Sequence, residues 1–245
     1  MTAPRVVVVA DERFGTSAAD VVLSKLPAVR PRLGVATGGT PMRLYAELAR
    51  RSRSGQIDLA DASLVSLDEY VGLGGSDPQS YAAYVRSVIA EPLRVRSENI
   101  VVPDGLSRDP DDGAAAFDRR IAALGGVDVQ ILGIGGNGHL AFNEPGSAFD
   151  SPTRVITLAE QTRSDNARYF GGLVCNVPQR AITQGLATIG RARSIVLLAK
   201  GSAKAVSLKA ALRAAPAPAM PASVLQLHRD VTVVADPAAA SLLAE

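Results

Sequence analysis

One glycine-rich loop, at residues 133–147, contains the side chains best suited to acid–base chemistry. It holds His139, one of two histidines in the chain, with Asn137 two residues before it and Glu144 five residues after it. An imidazole that polar neighbours hold in one tautomer can move a proton near neutral pH. The glycines permit tight turns and close approach of the backbone to a ligand, and Pro145 prevents a continuous helix. The alternative interpretation is a histidine that only caps the loop.

Two adjacent carboxylates, Asp68 and Glu69, follow a second apolar run. A carboxylate that is partly removed from water at the end of a strand suits a general base that takes a proton from carbon. We expect one of the two to face the strand ends and the other to point elsewhere. Solvated acids are common in loops, so this motif taken alone slightly favours the solvated interpretation.

Residues 36–42, Ala-Thr-Gly-Gly-Thr-Pro-Met, predict an anion site that suits a phosphate. We expect Thr40 to cap a helix whose first residue is Pro41, so that free backbone N–H groups and the helix dipole face the paired glycines. The segment is not a nucleotide P-loop, because no Gly-Lys-Ser/Thr follows it. An ordinary strand-to-helix turn is the alternative.

The loop at residues 133–147 also satisfies the pattern G-x-G-x-x-G through Gly133, Gly135 and Gly138. A dinucleotide site needs a helix that begins inside this pattern, and residues 143–147 break the chain too early for one. We therefore predict no nicotinamide or flavin cofactor. With one histidine, spaced carboxylates and no cysteine nearby, we predict no metal site either.

Short β-branched or aliphatic runs alternate with amphipathic helical patterns along the chain. This alternation predicts an α/β fold, Rossmann-like and doubly wound, with a mainly parallel sheet and helices on both faces. Catalytic groups in such folds lie where strands end. The predicted strands are 5–10, 33–36, 63–67, 99–102, 127–132, 154–158, 194–198 and 231–234, and the predicted helices are 16–26, 40–51, 80–90, 113–124 and 202–214.

Composition limits the remaining classes. With 245 residues, 47% hydrophobic and 20% charged, the chain can bury a full core, and we predict a single domain over residues 1–245. The only cysteine, Cys175, excludes an internal disulfide. No apolar run approaches the roughly 20 residues that span a bilayer. A net charge of +2 with scattered arginines argues against nucleic acid. The first strand begins too early for a signal peptide, which predicts a cytoplasmic protein.

Taken together and in order, these motifs resemble the glucosamine-6-phosphate deaminase family. The resemblance covers roughly residues 5–236, and several long motifs in order are far more specific than any one alone. It rests on residues 36–41, 67–73 with Ser80 and Tyr81, 133–146, 162–168, 177–183, 201–204 and 223–228.

The resemblance implies an enzyme of amino-sugar metabolism, including N-acetylglucosamine catabolism, with a small-molecule amino sugar phosphate as its partner. Glucosamine 6-phosphate and water would give fructose 6-phosphate and ammonia, a hydrolase-type isomerisation with deamination. By family analogy, His139 helps to open the sugar ring, and Glu144 belongs to the network that orients it. Asp68 matches the base that moves the C2 proton to C1. No redox cofactor is needed.

The resemblance also implies how the substrate phosphate is held and covered. Residues 151 to about 175 resemble a mobile lid, which would exclude water from the reaction. Without the resemblance, Arg168 and Lys204 would be interpreted as solvated charges on helices. The implied phosphate ligands are Thr37, Gly38, Gly39, Thr40, Arg168 and Lys204.

Two positions depart from the family pattern. Asn137 stands where relatives carry Asp as a partner of the histidine; an amide can hydrogen-bond the ring but cannot ionise. Arg154 matches an arginine of the allosteric site of hexameric members, but Ile156 replaces a lysine there. We therefore expect no activation by N-acetylglucosamine 6-phosphate, and a monomer or small homo-oligomer.

Three alternative functions stay open. The first is a galactosamine-6-phosphate deaminase, since the two amino sugars differ at one hydroxyl. The second is a 6-phosphogluconolactonase-like hydrolase, although its motif after the histidine differs from Ala-Phe-Asn-Glu144. The third is a non-catalytic sugar-phosphate sensor, which normally carries a helix-turn-helix region.

Overall fold

The computed structural model describes residues 3–243, which form a parallel sheet and a smaller antiparallel sheet. The strands are β1 (Arg5–Val8), β2 (Arg32–Val35), β3 (Ser63–Ser66), β4 (Asp68–Tyr70), β5 (Ile100–Val101), β6 (Val129–Gly133), β7 (Arg154–Thr157), β8 (Arg180–Thr183), β9 (Ser194–Ala199) and β10 (Val231–Ala235). The parallel sheet has the strand order β1-β10-β9-β6-β2-β3-β5, and the antiparallel sheet has the order β4-β8-β7.

Helices surround the parallel sheet. They are α1 (Phe14–Lys25), α2 (Met42–Arg53), α3 (Tyr81–Tyr84), α4 (Glu91–Leu93), α5 (Pro110–Ala123), α6 (Glu160–Asn166), α7 (Leu186–Gly190) and α8 (Ala205–Arg213). A π-helical turn, Val85–Ala90, joins α3 to α4, and short 3₁₀ turns cover Asp11–Arg13, Ser97–Asn99, Ala167–Tyr169, Val174–Asn176, Ser202–Lys204 and Pro221–Leu227. None of the helices within residues 3–243 is long and apolar enough to cross a membrane.

The central strands β6, β9 and β10 are mainly apolar and buried, whereas the edge strand β1 is largely exposed. Every residue of β9 and β10 is buried, as are the first four of β6, so these strands show continuous aliphatic runs rather than alternation. The predicted α/β class is confirmed. Each of the eight predicted strands and five predicted helices has a counterpart in the structure.

The antiparallel sheet differs from the sequence prediction. Strands β4 and β8 were not predicted, and β7 was predicted as part of the alternating α/β pattern but pairs with β8 instead. Strand β4 has only three residues, two of them acidic, so it carries no apolar alternation. Its partner β8 follows more than a hundred residues later, a distance at which local patterns carry no pairing information.

Asp68 lies where the chain passes from one sheet to the other. Strand β3 ends at Ser66, and β4 begins at Asp68. Gln184 fixes this corner: its backbone N–H donates to the Leu67 carbonyl at 2.7 Å, and its side chain donates to the Ser66 carbonyl at 2.8 Å. The corner therefore holds the first residue of β4 at the carboxyl edge of the parallel sheet.

Candidate active site

A cleft of about 680 Å³ lies at the carboxyl ends of four neighbouring strands, β9, β6, β2 and β3. The loops that follow these strands form much of its lining, and residues of α6 and the 3₁₀ turn after it complete the lining. Three separate sequence motifs therefore meet in one place. The predicted site residues that line the cleft are Thr37, Gly38, Gly39, Thr40, Asp68, His139, Arg168 and Lys204.

Two tyrosines hold the glycine loop that follows β2. The buried Tyr45 hydroxyl accepts from the Ala36 N–H at 3.0 Å and donates to the Ala36 carbonyl at 2.7 Å. Tyr84 donates to the Gly38 carbonyl at 3.3 Å. Gly38 has a φ of +93°, a conformation in which a side chain would be strained. The backbone of residues 37–40 is thus fixed along the cleft before α2 begins.

The start of α2 differs from the prediction by one residue. We expected Thr40 as the N-cap with Pro41 as the first helical residue, but the helix begins at Met42 and Pro41 is the N-cap. The first helical hydrogen bond runs from the Tyr45 N–H to the Pro41 carbonyl at 3.0 Å, which places the cap at the proline. Thr40 remains in the loop that lines the cleft.

Two cationic side chains line the same cleft. Lys204 is half-buried at the N-cap of α8, and burial lowers the pKa of its ammonium group, an effect that nearby Asp165 opposes. Arg168 is exposed, with its guanidinium 4.8 Å from the centre of the Tyr169 ring. A dianion in the glycine loop would meet backbone N–H groups together with these positive charges.

Asp68 is the buried carboxyl of the cleft. It is 5% exposed, and its Oδ1 atom has no hydrogen-bond partner among the described residues. Burial raises the pKa of this carboxyl to about 8, with a further contribution from the neighbouring Glu69. A carboxylate with so little solvation is a much stronger base than an ordinary aspartate, which suits proton removal from carbon.

The adjacent Glu69 has a different role. Its Oε1 accepts from the backbone N–H groups of Tyr70 and Tyr81 at 2.8 and 3.0 Å, and its Oε2 accepts from the N–H of Ala82 at 2.8 Å. It thus satisfies free N–H groups at the start of α3. The expectation that only one of the two acids faces the strand ends is confirmed.

His139 and Glu144 form a second acid–base group, separate from Asp68. The His139 Nδ1 atom lies 3.7 Å from Glu144 Oε2, and Nδ1 has no hydrogen-bond partner in the described part of the chain. The pKa of Glu144 is lowered to about 2, with His139 as the largest cause and hydrogen bonds from Thr162 and Asn137 as further causes. Glu144 is therefore a carboxylate throughout the neutral range and can stabilise a protonated imidazole.

The sequence suggests that the Asn137 amide could hydrogen-bond the imidazole ring. In the structure it does not. Its Nδ2 donates to Glu144 Oε2 at 2.7 Å, and its Oδ1 accepts from the backbone N–H of His139 at 3.2 Å. Bonding to the N–H two residues ahead is the usual turn geometry of an Asn side chain, and it directs the amide toward Glu144. Neither Asn137 nor Glu144 is among the residues that line the cleft.

The loop glycines give His139 its position. A Cβ atom at Gly135 would overlap the His139 ring, and the Gly135 N–H donates to the His139 carbonyl at 2.9 Å. Gly138 has a φ of +86°, and a Cβ there would overlap the sulfur of Met220. The loop lacks a helix through to β7, as predicted.

Several residues of the cleft had no predicted role. An aromatic cluster forms one wall, with the Tyr70 and Tyr81 rings 4.9 Å apart and Tyr70 edge-on to Phe170 at 5.4 Å. Thr162 of α6 donates to Glu144 Oε1 at 2.7 Å. Tyr70, Tyr81 and Thr162 fall in the family motifs at residues 67–73, Tyr81 and 162–168, whereas Phe170 lies outside them. Tertiary contacts alone reveal what these side chains touch.

A family model described as glucosamine-6-phosphate isomerases/6-phosphogluconolactonase matches residues 10–234. The chain belongs to this family. A glucosamine-6-phosphate deaminase of Streptomyces avermitilis is 46% identical over 240 residues, 97% of this chain and 92% of the relative. One of Rhodococcus opacus is 49% identical over 229 residues, 94% of this chain and 88% of the relative.

Solved structures of the family agree with this placement. A monomeric glucosamine-6-phosphate deaminase superposes with a TM-score of 0.92 at 38% identity, covering 97% of this chain and 99% of that one. A 6-phosphogluconolactonase from Trypanosoma cruzi has a TM-score of 0.77 at 20% identity, covering 98% and 97%. The second likeness shows a shared fold alone.

Proposed function

We propose that the chain is a glucosamine-6-phosphate deaminase, which converts glucosamine 6-phosphate and water to fructose 6-phosphate and ammonia. The observation that carries this proposal is the buried Asp68 carboxyl, whose Oδ1 has no partner among the described residues, in the same cleft as His139, whose Nδ1 lies 3.7 Å from Glu144. Ring opening and C–H deprotonation need two separate acid–base groups on one substrate. Relatives with 46% and 49% identity that bear this name support the assignment.

The substrate phosphate binds the loop after β2. Its oxygens accept from the backbone and hydroxyl groups of residues 37–40, with Arg168 and Lys204 supplying positive charge. Arginine offers a planar fork and lysine a compact charge, and both suit a dianion. Gly38 and Gly39 let the backbone approach closely. The tyrosine contacts that fix this loop support a preformed phosphate site.

His139 opens the sugar ring. It delivers a proton to the ring oxygen as the bond from that oxygen to C1 breaks and the C1 hydroxyl loses its proton. Glu144 stabilises the charged form of the imidazole. Asn137 holds Glu144 and the backbone of His139 in place, so it acts as a positioning residue. The product of this step is the open-chain aldehyde that the next step requires.

Asp68 then moves a proton between carbons. Its carboxylate takes the proton from C2 while the carbonyl oxygen at C1 gains a proton, which gives an enolamine. The Asp68 carboxyl then returns its proton to C1, and the amine loses a proton to leave an imine at C2. Water adds to this imine, and ammonia leaves to give the ketone of fructose 6-phosphate. Burial of Asp68 supports this role, because a poorly solvated carboxylate is a stronger base.

Residues 151 to about 175 form a lid over the cleft, within a single domain that spans residues 1–245. Thr162, Asn166 and Phe170 of this segment already line the cleft, and covering it excludes water from the enolamine. The protein acts in the cytoplasm as a monomer or small homo-oligomer. The structural relative described as monomeric supports the smaller state.

A substrate panel tests the reaction. The purified protein is incubated separately with glucosamine 6-phosphate, galactosamine 6-phosphate and 6-phosphogluconolactone, and ammonium, ketose phosphate and acid release are measured. Ammonium from the first sugar alone supports the proposal, while ammonium mainly from the second reassigns the substrate. Acid release from the lactone alone supports a hydrolase. Binding of the sugars without turnover supports a sensor.

A further inference from the structure

Helix α6 is hydrogen-bonded to two separate segments at the cleft. Thr162 Oγ1 donates to Glu144 Oε1 at 2.7 Å, in the loop that also holds His139. Asn166 Nδ2 donates at 3.0 Å to the hydroxyl of Tyr70, which lines the cleft and also accepts from Tyr81 at 3.2 Å. The two contacts stand four residues apart on one helix, and only the first reaches an acid–base group.

The two oxygens of Glu144 are held by donors from different segments. Asn137, in the same loop as Glu144, bonds Oε2, the atom that lies 3.7 Å from His139 Nδ1. Thr162, from α6, bonds Oε1. A carboxylate with one bonded oxygen can still rotate about its terminal bond, whereas bonds to both oxygens fix its plane. The orientation of Glu144 toward His139 therefore depends on α6 being docked.

We propose that Thr162 is a positioning residue that completes the His139–Glu144 pair when α6 covers the cleft. The proposal rests on the proposed function, since it assigns Thr162 to the ring-opening step. In the open state Glu144 keeps its bond from Asn137 but loses the bond that fixes its plane. Ring opening is then slow until α6 closes, so the reactive aldehyde forms only in a covered cleft.

The alternative is that Thr162 only helps to hold α6 in place. Asn166 provides the matched control, because its bond to Tyr70 holds the same helix without contacting Glu144. Thr162→Val removes the donor at nearly constant shape, and Thr162→Ser restores it. Gln161→Ala, whose side chain is exposed and bonds only Asp165, controls for changes to α6 itself.

Nitrogen NMR of the full-length protein reads the pair directly, because the chain has only two histidines. His228 bonds backbone groups of Ala192 and Asp230, just before β9 and β10 begin, at the edge of the parallel sheet opposite the cleft, and serves as an internal reference. The second readout is the affinity for 2-amino-2-deoxyglucitol 6-phosphate, an acyclic analogue that needs no ring opening to bind. The third is kcat for ammonium release from glucosamine 6-phosphate.

With Thr162→Val, the ring nitrogen signals of His139 shift while those of His228 stay, and kcat falls by at least about tenfold. Affinity for the acyclic analogue changes less than it does in Asn166→Ala, and Thr162→Ser recovers both the signals and kcat. Asn166→Ala weakens analogue binding and moves the His139 signals less than Thr162→Val does, because the Thr162 donor to Glu144 is still present. Gln161→Ala behaves as the wild type.

The proposal is overturned if Thr162→Val leaves the His139 signals in place and weakens analogue binding as much as Asn166→Ala does. It is also overturned if kcat is unchanged. Absence of ammonium release by the wild-type protein is a different result: it rejects the proposed function, while the His139 signals still show whether Thr162 positions the pair.

Discussion

Asp68 and Glu69 are neighbours in the chain, yet Glu69 accepts three backbone N–H groups whereas Asp68 Oδ1 has no partner in the described structure. Both side chains are buried. The hydrogen bonds compensate Glu69 for its lost hydration, and nothing comparable compensates Oδ1 of Asp68. Because of this difference in hydrogen bonding, Glu69 supports the start of α3, whereas Asp68 can act as a base.

The activity of the protein should depend on the ionisation of Asp68. Burial and, secondarily, Glu69 raise the pKa of this carboxyl to about 8, and a base must be unprotonated to accept a proton. We expect kcat/KM for glucosamine 6-phosphate to rise with pH up to about 8 and then to level. Initial rates between pH 5.5 and 9.5 measure this. An acid limb near pH 4, typical of an ordinary aspartate, contradicts it.

Asp68→Asn should stabilise the fold more at high pH than at low pH. An unfolded aspartate loses its proton near pH 3.9, but the folded one keeps it to about pH 8. Between these values the folded state binds the extra proton, so this group lowers wild-type stability as pH rises. Thermal melting should show a gain for the variant that grows from pH 5 to pH 8 and then levels. A gain independent of pH would argue that the carboxyl is solvated.

Gly135→Ala should displace the His139 ring. The added methyl group overlaps the ring, so we expect kcat to fall by about 10² while the protein remains folded. Gly136→Ala is the matched control, because a Cβ there meets no atom within 4 Å. Steady-state rates and thermal melting are measured for both. Equal losses in kcat for the two variants would show that the loop tolerates no side chain anywhere and that overlap with His139 is not the cause.

Asn137→Asp should destabilise the protein at neutral pH and less so in acid. The new carboxylate cannot donate to Glu144 and repels it, so we expect a loss of about 1 kcal/mol near pH 8. In the folded variant, the repulsion between the new carboxylate and Glu144 raises their affinity for a proton above that of the separated carboxylates in the unfolded chain. The loss of folding stability therefore shrinks as pH falls. Melting at pH 8 and pH 4 tests this. Asn137→Ala, which loses the donor without adding charge, should show a weaker pH dependence; equal dependence would refute the repulsion.

Lys204→Gln should weaken binding of the substrate phosphate. A charge-assisted hydrogen bond is worth roughly 1.5–3 kcal/mol, so we expect KM to rise by about tenfold or more with a smaller effect on kcat. Inhibition by inorganic phosphate should weaken in parallel. An unchanged KM together with unchanged phosphate inhibition would place the phosphate away from Lys204.

The strands and helices that position the site could be predicted because their patterns are local. Aliphatic runs mark β6 and β9, and the glycine-rich segments after β2 and β6 mark where the backbone approaches a ligand. The carboxyl edge of a parallel sheet then brings those segments together. Asp68, His139 and the loop after β2 can therefore be placed in one cleft from the sequence.

Contacts between distant segments could not be predicted in this way. The pairing of β4 with β8 joins residues far apart in sequence, and the bond from Thr162 to Glu144 depends on how α6 packs. Met220, in the proline-rich segment before β10, packs against Gly138 of the histidine loop. Such contacts leave no local periodic signal, because each of them joins segments that are distant in the sequence.

The most direct test is the amount of ammonium and fructose 6-phosphate formed from glucosamine 6-phosphate by the wild-type protein and by Asp68→Asn. The account predicts equal amounts of both products from the wild type and a loss of at least about 10² in rate for the variant, with its fold and substrate binding retained. Products formed by Asp68→Asn at the wild-type rate, or no ammonium from a folded wild type that binds the sugar, would contradict it.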